Sequence, residues 1–362
     1  MSTHSVAVYG ATGHTGRFVA SALERRGVAV KRISRRASTD SISQQHGGQP
    51  AWVSASCDEP EALDRALEGT DAVINCAGPF LDTAPAVIES ALRVGAHYLD
   101  IAAEQRSVRQ SLATYDAEAV DKGIVVLPAM AFYGGLADLL AAQLCTGLRV
   151  VDEILIGVAL DYWHPTPGTR RTGERNTARR VIVSGGRLAP LPSRRAGERW
   201  RFPLPFGDLP VTGVPLSEII TISKHVAAGR IESFMNEAPL QDLRRVDTPP
   251  PTSVEASGKS TQTFVMDVFA SGDGLSRRIA AFGQDIYAVS APLVVEACMR
   301  VLSQRPRKGG AFAAAELFDP SDFLAALSSD IRLELSSQPC PIHPANGDDV
   351  RGRRNWRVKS PA

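Results

Sequence analysis

The sequence has few cysteines, no long apolar run and almost no net charge. Its five cysteines are scattered, and no two of them have the C-x-x-C spacing of a metal or redox site. We therefore expect reduced thiols and no bound metal. A formal net charge of +1 gives no reason to expect a nucleic acid as a partner. No apolar run reaches the about 20 residues that cross a bilayer, so we expect no membrane span.

The N-terminal segment also lacks the features of a secretory signal. An apolar, strand-like run begins at Val6, which leaves no room before it for a basic region and a longer apolar region. Together with the unpaired cysteines, this predicts a cytoplasmic protein. The length of 362 residues predicts two domains, or one large domain with an appended one, since a typical domain has roughly 150 residues.

The stretch from Val6 to Arg26 has the pattern of a strand, a glycine turn and a helix. Val6–Tyr9 is continuously apolar, as expected of a strand buried on both faces, and apolar residues recur at helical spacing from Phe18 to Leu23. Such a turn binds the pyrophosphate of a dinucleotide through free N–H groups at the helix start. The alternative is a plain strand-to-helix turn. Our candidate cofactor residues here are Gly10, Thr12, Gly13, His14, Thr15 and Gly16.

Basic residues follow the second predicted strand, Val28–Ile33. In proteins that prefer NAD, an acidic residue holds the ribose 2′-hydroxyl at this place. Here the chain has Ser34, Arg35 and Arg36 instead. Because a guanidinium binds a 2′-phosphate and a carboxylate repels it, we predict NADP as cofactor, with NAD less favoured, and assign Ser34 and Arg35 to its binding. The alternative is that these arginines are a solvated strand end.

Two later loops add candidate cofactor residues. Asp58 precedes a predicted helix, Glu59–Leu67, where it either caps the helix, the role we favour, or faces the adenine. The predicted strand Ala72–Asn75 ends in small residues, which let backbone lie against a flat ligand. An ordinary strand-to-helix loop is the alternative. This second loop contributes the candidates Cys76, Ala77, Gly78 and Pro79.

The order of predicted elements indicates the fold class. Six strands alternate with helices from Val6 to Leu127, which is typical of a Rossmann-type, doubly wound parallel sheet in an α/β protein. Beyond that point the pattern changes to a second, mixed α+β domain. A Ser-Gly-Asp-Gly turn between Thr263–Ala270 and Arg277–Phe282 predicts a hairpin there. Arg187–Pro215, rich in Pro, Gly and Arg, predicts a loop.

Titratable side chains at strand ends are the candidates for catalysis. None of the six tyrosines has a lysine four residues later, which argues against the tyrosine–lysine chemistry of short-chain dehydrogenases. Asp100 ends a predicted strand and Glu104 follows it, at the sheet edge where cofactors bind in this fold. Either carboxylate would relay a proton or orient a substrate. The alternative is that Asp100 caps the turn and Glu104 is solvated.

The second predicted domain offers a histidine and a row of arginines. His164 follows an aromatic strand end, and its usual pKa suits an acid or a base, although a lone histidine is more often structural. Arg171, Arg175 and Arg179 share one face of a predicted helix, Thr169–Ser184. They would clamp substrate carboxylates, but a solvated helix face is the commoner explanation for such a stripe.

Four segments resemble the saccharopine dehydrogenase-like NADP-binding family. They are GATGHTG at Gly10–Gly16, VINCAGPF at Val73–Phe80, GAHYLDIAAE at Gly95–Glu104 and GQDIYAVSAPLVVEA at Gly283–Ala297. The resemblance implies a nicotinamide-binding domain and a mixed α/β substrate domain, with a C-terminal helix packing back on the first. The chain differs from the family pattern at Ala103, where glycine is usual, and at Tyr133–Leu136, where a proline turn is usual.

The resemblance implies a function and a division of the chain. We expect an NADP-dependent oxidoreductase that transfers hydride to or from a small amino-acid, imine or carbonyl substrate. The alternatives are an enoyl or polyketide-intermediate reductase and a non-catalytic NADP-sensing regulator. A small molecule is the expected partner, and a homodimer is left open. The predicted parts are a dinucleotide-binding domain at 1–130, a substrate domain at 131–285, helices packing back at 286–335 and a mobile tail at 336–362.

Overall fold

The computed structural model describes residues 4–35, 52–192, 197–253, 257–304, 308–337 and 339–344. Over these ranges the chain forms two sheets with helices packed on them. The first part of the chain consists of β1 (Ser5–Tyr9), α1 (His14–Arg25), β2 (Ala29–Ser34), β3 (Trp52–Ser54), α2 (Pro60–Leu67), β4 (Ala72–Asn75), α3 (Phe80–Val94), β5 (His97–Asp100), α4 (Gln105–Thr114), α5 (Asp116–Lys122) and β6 (Val125–Leu127).

The strands of the first part form one parallel sheet. Their order is β3-β2-β1-β4-β5-β6, so the chain reverses direction across the sheet between β1 and β4. The sheet gains a seventh strand, β15 (Gly310–Ala311), which pairs in parallel with β6. This arrangement confirms the Rossmann-type prediction, and it makes the edge beyond the carboxyl ends of β1 and β4 the expected ligand site.

Burial explains why these strands are continuously apolar. Along β1, Val6 and Val8 belong to one core cluster, whereas Ala7 and Tyr9 belong to another on the opposite face. Helices therefore cover both faces of the sheet. A strand in such a position needs an apolar side chain at every residue, since successive side chains point to opposite faces.

The second part of the chain builds a larger mixed sheet. A π-helical turn, Phe132–Leu136, leads into it. The elements that follow are α6 (Ala137–Cys145), β7 (Val151–Leu160), α7 (Pro167–Arg175), β8 (Val181–Ser184), β9 (Arg187–Pro190), β10 (Glu198–Arg201), β11 (Asp208–Gly213), α8 (Ser217–His225), β12 (Ala228–Asn236), α9 (Glu237–Arg244), β13 (Thr263–Gly272) and β14 (Leu275–Gln284).

The remaining elements are α10 (Ser290–Gln304), α11 (Ala314–Leu317), α12 (Pro320–Ala326), β16 (Arg332–Ser336) and β17 (Ile342–Pro344). The second sheet has the order β16-β14-β13-β7-β12-β11-β10-β17, with β8 and β9 attached to β12. Among the described strands of this second sheet, only β7 and β12 pair in parallel. Within the same ranges, no helix combines the length and the apolar character that crossing a membrane requires.

The C-terminal elements connect the two parts. Helix α10 packs beside α1, and Arg26 reaches Glu296 across this contact at 2.6 Å. The apolar face of α10, with Leu293 and Val294, is fully buried in the same core cluster as β1. Strand β15 then extends the first sheet, so the chain passes between the parts three times, after β6, after β14 and after β15.

The sequence predictions were wrong for three segments of the second part. The predicted helix Thr169–Ser184 ends at Arg175, and residues 181–184 form β8 instead. The predicted loop Arg187–Pro215 contains β9, β10 and β11, whose short strands are hidden among prolines and glycines. The predicted tail begins at Ser336, but Ser336 pairs with β14 and β17 pairs with β10. Residues 345–362 lie outside the described part of the chain.

Candidate active site

The glycine turn has the geometry of a tight strand-to-helix crossing. Gly10 has φ of +82°, and a Cβ atom there would lie 2.8 Å from the Cβ of Ala77 in the neighbouring loop. A Cβ atom at Gly16 would overlap the carbonyl oxygen of Gly10. Both positions therefore require glycine, one for its backbone conformation and the other for the close approach of α1 to β1.

The N-terminus of α1 has the chemistry of an anion site. Its N-cap is Gly13, which provides no side-chain acceptor, and its first turn has no acidic residue. The first N–H groups of the helix are therefore free of side-chain partners, and the helix dipole favours an anion there. His14 begins the helix, and its Nε2 atom is buried without a hydrogen-bond partner in the described structure. These observations fit the pyrophosphate of a dinucleotide.

The residues predicted to bind the adenosine half of NADP lie at the edge of the first sheet. Ser34 ends β2 and is buried, and Arg35 follows it on the surface. Arg36 lies outside the described residues. Asp58 does not cap α2, as we had favoured, because the N-cap is Glu59 and Asp58 instead bonds with the Ser56 hydroxyl at 3.2 Å.

A cavity of about 600 Å³ opens beside this turn, between the first sheet and the second part of the chain. The loop after β4 contributes Cys76 and Gly78, the segment after β5 contributes 101–104, and the second part contributes Trp163 and Tyr287. Three segments that the sequence singled out, namely the loops after β4 and β5 and the strand end near residue 163, therefore meet in one cavity. Of the predicted pyrophosphate residues, Thr15 reaches it.

Glu104 is the predicted catalytic residue that lines this cavity. Its side chain is 2% exposed, and its Oε1 atom accepts a hydrogen bond from the N–H of Phe80 at 2.9 Å. Burial raises the pKa of Glu104 to about 7, although the Phe80 N–H favours the charged form. A carboxyl group with that pKa exchanges its proton near neutral pH, as a general acid or base must.

Asp100 lies behind the cavity wall rather than in it. It is fully buried, and its Oδ1 atom accepts hydrogen bonds from the N–H groups of Ala102 at 2.9 Å and Ala129 at 2.7 Å. Its Oδ2 atom accepts one from the Tyr98 hydroxyl at 2.8 Å. Ala129 has φ of +60°, an uncommon conformation for a residue with a Cβ. Asp100 therefore joins the ends of β5 and β6 and fixes the turn that follows them.

Replacing Asp100 by alanine would leave those three donors buried without an acceptor. We expect a loss of about 3 kcal/mol or more in the free energy of unfolding, since each unsatisfied buried donor costs roughly 1–3 kcal/mol. The melting temperature should fall by roughly 6–12 °C. Asp121→Ala, on the exposed face of α5, is the matched control and should change it little. A shift of Asp100→Ala no larger than that of the control would contradict this role.

His164 does not reach the cavity. Its ring lies 4.6 Å from the ring of Tyr162, and the neighbouring Trp163 lines the cavity instead. Trp163 donates from its indole nitrogen to the hydroxyl of Tyr287 at 2.8 Å. Of this aromatic strand end, Trp163 therefore lines the cavity and His164 does not.

The three arginines predicted to share one helix face lie in different surroundings in the structure. Arg175 pairs with Asp82 of α3 at 2.9 Å, in an exposed ion pair that links α7 to the first part of the chain. A Cβ atom at Gly78 would lie 2.6 Å from the hydroxyl of Thr172, so α7 also packs on the loop after β4. Arg171 is exposed on α7, and Arg179 lies beyond the end of that helix. Helix α7 therefore covers one side of the cavity.

Two residues that we did not assign from the sequence also line the cavity. Tyr133 lies on the π-helical turn, and Arg180 precedes β8. Tyr133 belongs to the segment Tyr133–Leu136, where the sequence differs from the family pattern, but the sequence analysis assigned it no role. A Cβ atom at Gly134 would overlap the carbonyl oxygen of Ala129, which explains the glycine next to the tyrosine.

The parallel sheet, the glycine turn and the cavity against a second sheet define a two-domain, dinucleotide-binding protein. Residues 6–127, about a third of the chain, match the family described as the saccharopine dehydrogenase NADP binding domain. Over these residues the match confirms the predicted resemblance to this family and the NADP cofactor that the resemblance implies.

Two relatives and one solved structure extend the comparison. A saccharopine dehydrogenase-like oxidoreductase of Homo sapiens is 29% identical over 150 residues, which are 36% of this chain and 35% of that protein. A lipid droplet localized protein of Caenorhabditis elegans is 29% identical over 151 residues, 38% and 35% of the two chains. These matches span about a third of each relative. Apo saccharopine dehydrogenase (L-Glu forming) of Saccharomyces cerevisiae has the same fold, with a TM-score of 0.63 at 13% identity over 92% of this chain and 100% of that chain.

Proposed function

We propose that the chain is an NADP-dependent oxidoreductase that acts on a small molecule bound in the cavity. One observation carries this proposal: the cavity touches both the glycine turn, through Thr15, and a buried carboxyl group, Glu104. A dinucleotide whose pyrophosphate lies on α1 would extend toward the carboxyl ends of β4 and β5, where the cavity begins. When bound, the nicotinamide supplies the hydride.

The residues of the chain would bind, orient and exchange protons. The N–H groups at the start of α1 would hold the pyrophosphate, and the loop from Cys76 to Pro79 would lie along the nicotinamide half. Glu104 would give or take the proton that accompanies hydride transfer, because its pKa of about 7 allows both states. We propose Asp100 as a positioning residue and assign no step to His164.

A turnover screen tests this proposal directly. NADPH oxidation and NADP⁺ reduction are followed with amino-acid, imine, keto and enoyl compounds, alongside a direct titration of NADPH. Turnover of one class by the wild-type protein would support the oxidoreductase. NADPH binding without turnover of any class would favour the NADP-sensing regulator instead.

The cavity lining supports a second candidate, a reductase of enoyl or similar apolar substrates. Apolar side chains from both parts of the chain line the same cavity as Glu104. They include Phe80, Ile101, Phe132, Trp163, Leu216 and Ile286. An apolar chain would bury these surfaces favourably. Enoyl compounds therefore belong in the screen with an aliphatic tail attached.

The cofactor preference gives a prediction of its own. We expect NADPH to bind at least tenfold more tightly than NADH, about 1.4 kcal/mol, because Arg35 adds a charged contact to the 2′-phosphate. Arg35→Gln should weaken NADPH and leave NADH unchanged, whereas Arg25→Gln, at the exposed end of α1, should change neither. Titrations of both cofactors measure this. Equal affinities in the wild-type protein would contradict the assignment of Ser34 and Arg35.

We also propose a cytoplasmic location, on the basis of the scattered cysteines, none of which is paired in the described structure. One relative is named for lipid droplets, so cell fractionation should include that compartment. Recovery of the protein in the droplet fraction would contradict the cytoplasmic proposal.

A further inference from the structure

The wall of the cavity formed by the second part of the chain contains polar groups that the proposed hydride transfer does not use. The hydroxyl of Tyr133 is buried and finds no hydrogen-bond partner in the described structure. Its ring is held by Phe132, with ring centres 5.0 Å apart, and by Trp163 at 6.4 Å. Buried polar groups are nearly always hydrogen-bonded, so an unpartnered hydroxyl at a cavity wall indicates a ligand atom.

Arg180 lies on the same wall and also borders an adjoining pocket of about 290 Å³. Arg180 is partly buried, and no group of the described residues accepts a hydrogen bond from its guanidinium. Burial lowers the pKa of the Arg180 guanidinium, and the charges of nearby Glu218 and Tyr133 oppose that shift. A guanidinium remains charged in proteins and carries five donors, so this one has donors available for an anion.

Glu218 accepts no hydrogen bond from the Arg180 guanidinium. Its Oε1 atom accepts from the N–H of Leu216 at 2.8 Å and from the hydroxyl of Ser233, and its Oε2 atom is buried without a partner. Burial raises the pKa of Glu218 to about 7, so a sizeable fraction of it is neutral at neutral pH. The positive charge of Arg180 is therefore incompletely balanced by the protein.

The other arginines of the cavity are not equivalent to Arg180. Arg170 donates to the carbonyl oxygens of Arg245 at 3.1 Å and Thr248 at 2.9 Å. Arg244 is exposed at the rim. The lining of the cavity that holds Arg180 and Glu104 also includes apolar side chains, among them Phe132, Trp163 and Leu216. One anion site next to an apolar surface fits a ligand with one charged end.

We infer that Tyr133 and Arg180 form a substrate site for a carboxylate carried on an otherwise apolar body. This inference rests on the proposed function, and it specifies the substrate class of that site. The Arg180 guanidinium would donate to the carboxylate oxygens, and the Tyr133 hydroxyl would donate to one of them. The apolar body would then extend along the wall toward Glu104.

The test uses two probes of nearly equal shape, 4-phenylbutyrate and its neutral amide, titrated by calorimetry into the full chain with and without NADPH. We expect the carboxylate to bind at least about tenfold more tightly than the amide, because hydrogen bonds to charged groups are the stronger ones. Arg180→Gln should abolish that preference. Arg179→Gln, a neighbouring exposed arginine outside this cavity, is the matched control and should keep it.

Tyr133→Phe separates a ligand role from a structural one. The variant removes only a buried hydroxyl that has no partner, so the melting temperature should stay the same or rise. The affinity for 4-phenylbutyrate should nevertheless fall by roughly threefold or more, with the affinity for the amide unchanged. If Arg180→Gln fails to fold, Arg180→Lys keeps the charge and should retain part of the preference.

Equal affinity for the two probes, binding of neither, or a carboxylate preference that survives Arg180→Gln would overturn the inference. Because the titration needs no turnover, its outcome is independent of the oxidoreductase screen. A carboxylate preference in a protein that transfers no hydride would support this site and count against the proposed function.

Discussion

Glu104→Gln is expected to lower turnover by at least about 100-fold, the usual contribution of a general acid or base, while the affinity for NADPH stays nearly unchanged. Glutamine keeps an oxygen that accepts the hydrogen bond from Phe80 N–H, so the start of α3 remains in place. What it loses is the exchangeable proton. Steady-state kinetics with the substrate found in the screen, together with an NADPH titration, measure both quantities.

The pH dependence of kcat/KM gives a second test of the role of Glu104. In the oxidative direction Glu104 would act as a base, so kcat/KM should rise as the pH increases through about 7, where its carboxyl group ionises. In the reductive direction it would act as an acid, and kcat/KM should fall over the same interval. Glu104→Gln should remove this ionisation from both profiles.

Glu296→Gln is the control for Glu104→Gln. Glu296 is a carboxylate with a side chain 13% exposed, and it pairs with Arg26 and Arg300 beside α1, away from the cavity. Its turnover should match that of the wild-type protein. Unchanged turnover in Glu104→Gln would move the proton transfer to another group, and His164 would not replace it without a change in the position of its ring.

Gly13→Val is expected to weaken NADPH binding by at least about 100-fold, roughly 2.7 kcal/mol, while the chain still folds. A Cβ atom at Gly13 would lie 3.1 Å from the carbonyl oxygen of Gly10, a tight contact that a small shift can relieve. The two further methyl groups of valine, however, would occupy the space in front of the helix N–H groups. An NADPH titration measures the loss, and circular dichroism checks the fold.

Gly213→Val is the matched control for the glycine turn. Gly213 ends β11, and the atom nearest to a Cβ there is Leu191 Cδ1 at 3.5 Å, which is an ordinary contact. A β-branched residue suits a strand, so this variant should fold and bind NADPH normally. Wild-type affinity in Gly13→Val would mean that the pyrophosphate does not lie on α1.

The first domain could be predicted from sequence because each of its signals is local. The apolar run of β1, the glycine spacing and the helical period of α1 lie within about 20 residues. The hairpin of β13 and β14 is similar, since Asp273 and Gly274 adopt positive φ values of 51° and 75° in its two-residue loop. Such features depend on neighbours in the chain and not on distant contacts.

The rest of the site depends on contacts that are distant in sequence. Asp100 looked like a catalytic candidate because it is a carboxylate at a strand end, but its acceptors are used by Ala102, Ala129 and Tyr98. Tyr133 and Arg180 belong to different elements, so no spacing rule brings them together. β17 escaped prediction for a related reason, because it is a short edge strand specified by its partner β10.

The crystal structure of the chain with NADPH bound would test the central claim most directly. Our account predicts the pyrophosphate on the N–H groups of His14 and Thr15 and the nicotinamide in the cavity, between Gly78 and the carboxyl group of Glu104. The space between the nicotinamide and Tyr133 should remain open for a substrate. A nicotinamide that lies outside this cavity, or a cavity wall without Glu104 near the reacting carbon, would contradict it.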